Sequence, residues 1–305
     1  MSGVTRDAEP RRVVLWALPR TLSTVFEKCM GSISGVQIIN EPYTFAHYFG
    51  PEGKVAENPD TEINKTLQAV MKQGEAVVGP DVKTGWFHER VCTFQWVKDT
   101  LEAPYPGKSL VFSKDQCYSI TDKLHMIPRG FRHTFLIRHP HKVFPSWKGI
   151  TWKLLEMNEE GIRFQDMPEP WCPKRYGYAE MCDLVEFVKQ RGDPNPVLID
   201  ADDLQTSPAS IMRQYCDAIG IPFNESMLQW PAGTDLLDDW IINSTFVSIN
   251  KIPQNGGFYE EAFNSTHFKA PYKIPSRSDL TDDILELVDA SMPHYEKLYE
   301  MRIKP

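Results

Sequence analysis

Short apolar segments alternate with segments of helical periodicity along most of the 305-residue chain. Apolar runs bounded by polar or turn-forming residues are typical of β-strands. Runs without alternation of apolar and polar residues indicate strands that are buried on both faces of a parallel sheet. The pattern therefore predicts an α/β fold in a single domain spanning residues 1–305, with a mainly parallel central sheet flanked by helices. The predicted strands are Val13–Leu18, Val36–Ile39, Ser109–Ser113, His133–Ile137 and Val197–Ile199.

Helices are predicted where apolar residues recur three and four positions apart. Two long irregular regions, at about residues 156–174 and 245–277, interrupt this pattern, and loops of such length in a compact domain are typically lids or binding loops, or else mobile segments. We expect both to lie over the ligand-binding edge of the sheet as lid or acceptor loops, and residues 1–11 to form a flexible N-terminus. The predicted helices are Leu22–Ser32, Thr61–Gln73, Cys92–Leu101, Lys142–Glu156, Arg175–Gln190, Pro208–Ile219 and Asp279–Met301.

Composition narrows the class of protein. The chain has 33 basic and 41 acidic residues and a net charge of −8, which argues against a general nucleic-acid partner. Its six cysteines include no Cys-x-x-Cys pair and predict reduced thiols rather than a disulfide framework or a zinc site. The N-terminus lacks an apolar signal core, and no run of 18 apolar residues occurs. We expect a cytoplasmic protein without a membrane span, with a homodimer as an open alternative.

The segment Pro19–Thr24, "PRTLST", separates the first predicted strand from the first helix. Ligands of open α/β sheets bind at the carboxyl ends of strands, and helix N-termini attract anions. Arg20 adds a permanent charge, and Thr21, Ser23 and Thr24 add hydroxyl groups. The alternative is that Thr21 or Ser23 merely caps the helix while Arg20 lies in solvent. We favour an anion site, because Arg20 directly follows the strand.

A nucleotide-binding loop of the ATPase type requires Gly-x4-Gly-Lys-Ser/Thr, which the chain does not contain. In the nearest match, "GPDVKTG", Lys83 does not follow a glycine. A P-loop small-molecule kinase is therefore disfavoured. A second candidate segment, "IRHPHKVFPS", places Arg138 at the end of the fourth strand and Ser146 eight residues later on a helix. These two side chains can converge on another phosphate group, although Arg-His-Pro alone is also typical of a helix-entry turn.

Together the two segments resemble the sulfotransferases that use 3′-phosphoadenosine 5′-phosphosulfate (PAPS), in particular the divergent branch with "WALPR" and "NEP". The resemblance covers about residues 12–150 and 195–247, including a third strand ending in Lys114-Asp115 and the stretch that leads to "GIPF". Leu22 replaces the glycine of many members, and the family's C-terminal 3′-phosphate motif is absent, so Asn255–Gly257 or Lys269–Arg277 could replace it. The matching positions are Pro19, Arg20, Thr21, Leu22, Ser23 and Thr24 for the phosphosulfate loop, and Arg138, Pro140 and Ser146 for the 3′-phosphate motif.

The resemblance implies a sulfotransferase fold related to P-loop NTPases and in-line sulfuryl transfer to a hydroxyl or amine, with PAPS as co-substrate and no metal. Arg20 and Lys114 would stabilise charge, and Glu41, which follows the second strand, would be the base. A surface position for Lys114 and a cap or salt bridge for Glu41 are the alternatives. The base could instead be a histidine, His88 or His125.

Several further side chains are predicted near the substrates. Ser244 and Thr245 resemble a Ser/Thr pair near the donor, although an Asn-Ser-Thr turn is the alternative. Aromatic residues would favour a small hydrophobic acceptor, although most such residues pack in a core. A non-catalytic protein that retains the fold and binds the nucleotide is the competing hypothesis. The predicted acceptor residues are Tyr43, Phe45, Trp86, Phe87, His88, Trp147, Trp152 and Trp171.

Overall fold

Five parallel strands form the central sheet in the order β2–β4–β1–β5–β6. The structure is a computed structural model and describes residues 9–62, 64–69, 72, 85–155, 162–167, 169, 171–251 and 259–305. All five predicted strands are present, which confirms the α/β fold with a parallel sheet. The strands are β1 (Arg11–Ala17), β2 (Val36–Asn40), β3 (Trp86–Phe87), β4 (Leu110–Gln116), β5 (Arg132–Ile137), β6 (Val197–Asp200) and β7 (Ile242–Asn243), of which β3 and β7 form a separate parallel pair.

Helices pack around this sheet close to the predicted bounds. Residues 244–251 are helical, whereas we predicted an irregular segment from residue 245. Some predicted features lie partly outside the described residues, namely the helix Thr61–Gln73, the two long loops and the N-terminal segment. The segment Asn255–Gly257 lies wholly outside them. The helices are α1 (Ser23–Gly31), α2 (Pro42–Tyr48), α3 (Lys54–Glu57), α4 (Phe94–Glu102), α5 (Pro140–Leu155), α6 (Tyr178–Gln190), α7 (Ala201–Thr206), α8 (Pro208–Ile219), α9 (Ser244–Lys251), α10 (Glu260–Phe263) and α11 (Asp282–Glu300).

Strand β1 lies at the centre of the sheet, and Val13–Leu18 is almost completely buried, as its unbroken apolar run predicted. The connection from β1 leads to β2 on one side, and that from β5 leads to β6 on the other side. Adjacent parallel strands whose connections diverge leave a crevice at their carboxyl ends, where ligands bind. The topology therefore places a ligand-binding crevice beyond Ala17 of β1 and Ile137 of β5. In the ranges that the structure describes, no helix combines the length and apolarity needed to cross a bilayer.

Helix α2, which we did not predict, begins beside this crevice because β4 supplies its cap. The backbone N–H groups of Tyr43 and Thr44 donate to the Asp115 carboxylate at 2.7 and 2.8 Å, and the Thr44 hydroxyl donates to it at 2.6 Å. Pro42 occupies the first turn, where its missing N–H costs nothing. Burial raises the pKa of Asp115 to about 7, although the three donors lower it. The carboxylate thus fixes α2, and with it the preceding residue Glu41, to the end of β4.

Replacing Asp115 by alanine should lower the free energy of unfolding by about 2 kcal/mol or more, because the buried donors of α2 lose their acceptor. Urea denaturation of the purified variant measures this change. Asp217→Ala is the matched control, since Asp217 is exposed on α8 and its loss should leave stability nearly unchanged. Equal stability of the two variants would show that Asp115 does not hold α2.

Candidate active site

The loop that follows β1 has a backbone conformation that ordinary residues rarely adopt. Arg20 and Leu22 have φ angles of 68° and 69°, in the left-handed region that favours glycine. This explains in physical terms why a glycine would suit the position of Leu22. Strain of this kind persists only where surrounding contacts impose it, and it concentrates at functional sites.

Helix α1 begins directly after this loop, and no side-chain hydrogen bond caps it within the described part of the chain. The Thr21 hydroxyl donates instead to the Leu18 carbonyl at 2.7 Å and closes the loop. Ser23 and Thr24 are buried in the first turn. The simple capping role considered for Thr21 or Ser23 is therefore not observed, and the first N–H groups of α1 keep their capacity to bind an anion.

The two motifs found in the sequence lie side by side in the crevice. Arg20 Nε donates to the Ser146 hydroxyl on α5 at 2.9 Å, and Arg138 donates to the Arg20 carbonyl at 3.0 Å. Arg138 is only 5% exposed, and its Nε lies 3.7 Å from the Asp202 carboxylate. Two guanidinium groups and one hydroxyl therefore converge at the uncapped start of α1, a donor set that suits phosphate-like anions.

The C-terminal coil crosses the start of α5 beside Arg138. The ring of Tyr272 lies 5.1 Å from the Arg138 guanidinium carbon and 4.5 Å from the Lys142 ammonium. His141 Nδ1 is hydrogen-bonded to the Pro275 carbonyl at 2.7 Å. Part of the predicted segment Lys269–Arg277 therefore contacts Arg138 and the first turn of α5.

A fully buried lysine lies at the end of β4. The Lys114 ammonium donates to the Glu41 carboxylate, and Gln116 Nε2 donates to the same oxygen at 2.9 Å. Burial alone would lower the pKa of Lys114, but the negative charges of Glu41 and Glu27 raise it above its ordinary value. Lys114 is thus not a surface lysine, and the salt bridge considered for Glu41 is formed.

Glu27 on α1 completes this group, and the sequence analysis missed it. Its Oε2 lies 3.6 Å from the Lys114 ammonium and accepts a hydrogen bond from Asn40 at 2.8 Å. Burial raises the pKa of Glu27 to about 8, although the charge of Lys114 and the Asn40 bond lower it. A signal was present, because Glu27 follows Ser23 by four positions and so shares its helix face.

Two other residues near this group were also missed. Lys28 is buried and donates to the carbonyls of Ala262 and Ser265 at 3.2 and 2.9 Å, so that it holds the end of α10 against α1. Burial lowers the pKa of Lys28 to about 8. Burial and the charge of Glu41 raise the pKa of Tyr259, while Lys114 and Arg20 lower it, which places the phenol among these charged groups.

Strand β7 brings the predicted Ser244 and Thr245 to the same edge, because Ile241 bridges Ile39 of β2. The Ser244 hydroxyl lies 3.1 Å from His88 Nδ1. Thr245 is fully buried. The structure therefore places His88 against Ser244, whereas the other predicted histidine, His125, is exposed.

The predicted acceptor aromatics are mostly packed into the core. Tyr43 is fully buried, and its hydroxyl donates to the Met126 carbonyl at 2.6 Å. Trp86 Nε1 donates to the Leu237 carbonyl at 3.1 Å, and Trp152 is 2% exposed. Trp147 stacks on Tyr118 with 6.1 Å between ring centroids.

A cavity of about 270 Å³ opens beside Tyr118, just past the end of β4. None of the described residues that line it belongs to the predicted acceptor set. Among the residues that the structure describes, no cluster of histidine, cysteine or carboxylate side chains is arranged to hold a metal ion. The lining residues are His47, Tyr48, Tyr118, Thr121, Asp122, Leu124, Glu169, Pro173, Lys174, Arg175, Glu180, Asp183 and Leu184.

Comparison with known families bears on the C-terminal part of the chain. Residues 190–301 match a family model described as a sulfotransferase domain. This match confirms the sulfotransferase-like character that the sequence motifs indicated, and it lies outside the segments Pro19–Thr24 and Arg138–Ser146 that first suggested it.

Two curated relatives are the branched-chain-amino-acid aminotransferase-like proteins 1 and 2 of Arabidopsis thaliana. The first is 26% identical over 295 residues and the second 25% identical over 290 residues. The alignments cover 95% and 93% of this chain but 42% and 40% of the relatives. The chain therefore spans about two fifths of the length of the curated relatives it matches.

Solved structures similar to this chain include three sulfotransferases of low identity. The sulfotransferase domain from the curacin biosynthetic pathway has a TM-score of 0.46 at 13% identity, covering 98% of this chain and all of that domain. The sulfotransferase domain from the Synechococcus PCC 7002 olefin synthase has a TM-score of 0.46 at 15% identity, covering 93% of this chain and 95% of that domain. Mouse sulfotransferase SULT7A1 complexed with PAP has a TM-score of 0.43 at 12% identity, covering 96% of this chain and 90% of that chain.

Lys114→Met should destabilise the fold by about 3 to 5 kcal/mol, because the change leaves the Glu41 and Glu27 carboxyls buried without their cation. Urea denaturation at neutral pH measures the effect. Lys65→Met is the control, since Lys65 pairs with Glu62 at the surface and its loss should barely change stability. A Lys114→Met variant as stable as the Lys65→Met variant would contradict the structural role given to this ammonium.

Proposed function

We propose that this chain is a sulfotransferase that moves a sulfuryl group from PAPS to a hydroxyl or amine of a small acceptor. The observation that carries the proposal is the convergence of Arg20, Arg138 and Ser146 at the uncapped start of α1. The buried pair formed by Lys114 and Glu41 lies at the end of β4, which pairs with β1, the strand that leads into this anion-binding group. The sulfotransferase family match of residues 190–301 supports the same class of reaction.

The two phosphate groups of the donor are assigned to the two motifs. The N–H groups at the start of α1, Arg20 and the hydroxyls of Ser23 and Thr24 bind the 5′-phosphosulfate. Arg138 and Ser146 bind the 3′-phosphate, and Arg138 also holds the loop through the Arg20 carbonyl. Because Arg20 Nε donates to the Ser146 hydroxyl, the residues assigned to the two phosphate groups are in direct contact with each other.

In-line transfer forms a bond between the acceptor oxygen or nitrogen and sulfur while the bond from sulfur to the 5′-phosphate oxygen breaks. The sulfuryl group carries less negative charge than a phosphoryl group, so side-chain cations can provide the stabilisation that kinases obtain from Mg²⁺. Lys114 and Arg20 stabilise the charge that develops on the leaving oxygen. Glu41 takes the proton from the acceptor.

The contact between Lys114 and Glu41 links these two tasks. In the structure the ammonium binds the Glu41 carboxylate. As the leaving oxygen gains charge, it competes with Glu41 for the Lys114 proton donors. A carboxylate that loses part of its cation becomes a better proton acceptor, so charge development on the donor assists proton removal from the acceptor.

We assign the acceptor to the 270 Å³ cavity beside Tyr118. Tyr48 and Tyr118 form the aromatic wall of this cavity. Burial raises the pKa of both phenols, and the negative charge of Glu41 contributes to both increases. The aromatic wall therefore lies within electrostatic reach of Glu41. The cavity suits a small molecule. Its wall combines these aromatic rings with charged groups such as Glu169 and Arg175, so the acceptor combines an apolar part with a polar group.

Addition of 3′-phosphoadenosine 5′-phosphate, the desulfated product, should raise the melting temperature by several degrees. A ligand at 100 times its Kd stabilises the native state by about 2.7 kcal/mol. Differential scanning fluorimetry measures the shift. No stabilisation at millimolar nucleotide would contradict the proposal.

Arg138→Ala should weaken binding of this nucleotide by about 10- to 100-fold, because a charged hydrogen bond to the 3′-phosphate is lost. Binding of adenosine 5′-phosphosulfate, which lacks that phosphate, should change far less. Isothermal titration of both nucleotides separates the two cases. Arg129→Ala, at an exposed arginine, is the control and should bind both like the wild type.

Glu41→Gln should bind the desulfated nucleotide as the wild type does but lose turnover by about 100-fold or more, because the amide cannot take the acceptor proton. The assay follows radioactive sulfur from labelled PAPS into acceptors of a metabolite extract. Glu225→Gln, at an exposed glutamate, is the control. Unchanged turnover in Glu41→Gln would remove Glu41 as the base, and nucleotide binding without transfer in the wild type would favour a non-catalytic protein.

A further inference from the structure

Two buried carboxyl groups share one buried ammonium in this protein. Glu27 and Lys114 are both fully buried, and Glu41 is 5% exposed. The Lys114 ammonium binds Glu41 directly and lies 3.6 Å from the Glu27 Oε2 atom. If both carboxyls were ionised, the group would hold a net negative charge away from water, which is unfavourable in a low-dielectric interior.

We propose that Glu27 carries a proton at neutral pH and acts as a positioning residue, leaving the Lys114 ammonium to Glu41 and to the leaving group. This inference rests on the sulfotransferase function proposed above. The proton belongs on Glu27 because Glu41 accepts hydrogen bonds from both Lys114 and Gln116, which stabilise its ionised form. Glu27 is farther from the ammonium and accepts one bond from the neutral amide of Asn40.

The surroundings of Glu27 agree with this assignment. Charged or titratable groups reach it from β4 (Lys114), from the end of β2 (Glu41) and from the segment before α10 (Tyr259). The adjacent Lys28 ammonium donates to backbone carbonyls at the end of α10. The dominant influence on Glu27 is its burial, which raises its pKa to about 8.

The mechanistic consequence concerns competition for Lys114. A neutral Glu27 attracts the ammonium weakly, so Lys114 remains directed towards Glu41 and the leaving oxygen. An ionised Glu27 would draw the ammonium towards α1 and away from both. Sulfuryl transfer should therefore decline as the pH rises through the pKa of Glu27, near 8.

Infrared spectroscopy tests the protonation without any assay of activity. The wild type should show the C=O band of a buried carboxylic acid that persists above pH 7, where Asp115 has begun to ionise, and disappears near pH 8. Glu27→Gln should lack this band, and Glu225→Gln should keep it. Absence of a band in the wild type above the pKa of Asp115, or its persistence in Glu27→Gln, would overturn the inference.

The pH dependence of the free energy of unfolding provides a second readout, and its direction follows from the raised pKa of Glu27. The pKa of Glu27 rises from 4.5 to about 8 on folding, so the native state holds a proton that the unfolded chain has already lost between these values. Its contribution to stability is therefore complete below 4.5 and lost as the pH rises through 8. Between these pH values the free energy of unfolding of the wild type should fall with rising pH. In Glu27→Gln this slope should be shallower by the amount that corresponds to about one bound proton. An unchanged slope would contradict the inference.

Activity tests the positioning role. Glu27→Gln mimics the neutral acid, so its turnover of labelled PAPS at pH 7 should stay within about threefold of the wild type, and the decline above pH 8 should vanish. A tenfold or greater loss at pH 7, or an unchanged alkaline decline, would overturn this role. If the wild type transfers no sulfur, the proposed function fails, while the infrared band and the stability slope still decide whether Glu27 is protonated.

Discussion

The buried ammonium of Lys114 is the interaction on which the site depends. A cation without solvent requires a carboxylate partner held at short range, and Glu41 provides it by direct contact, while the Glu27 carboxyl lies 3.6 Å from the ammonium. Glu41 can hold its position because α2 starts directly after it, and α2 is capped by Asp115, the next residue on β4. Successive side chains of a strand point to opposite faces. The end of β4 thus binds Glu41 on one face and helix α2, which directly follows Glu41, on the other.

The convergence of Arg20, Arg138 and Ser146 depends on a second constraint, the divergence of the connections after β1 and β5. This topology brings Arg20 and Ser146, 126 positions apart in the chain, into hydrogen-bond contact. The chain turns sharply after β1 so that the start of α1 faces the crevice, and this turn requires a strained, left-handed backbone conformation at Arg20 and Leu22. Such strain is retained where contacts such as the bond from Arg138 to the Arg20 carbonyl hold the loop.

The strands and the convergence of Arg20 with Arg138 and Ser146 could be predicted because their signals are local: unbroken apolar runs such as that ending at Leu18, followed by Arg20 or Arg138. Partners of buried charges could not be predicted, since periodicity identifies Glu27 only as a polar residue and does not show which strand faces it. Helix α2 escaped prediction because its cap, Asp115, lies over 70 positions away. None of the predicted acceptor aromatics lines the described cavity, because a large aromatic side chain such as Tyr43 gains more from complete burial than from lining it.

The region that matches the sulfotransferase model contributes to the site through Asp202. Asp200 of β6 caps α7 by accepting from the Asp202 N–H at 2.8 Å, and Tyr295 of α11 donates to Asp200 at 3.0 Å. The Asp202 carboxylate is thereby fixed 2.7 Å from the Lys142 ammonium and 3.7 Å from Arg138 Nε. Because Lys142 takes the shorter contact, Asp202 neutralises mainly Lys142 and orients Arg138 without satisfying it. The positive charge of Arg138 is therefore only partly offset by Asp202, which explains physically how residues 190–301 would support the proposed phosphate site, whose cations lie outside that region.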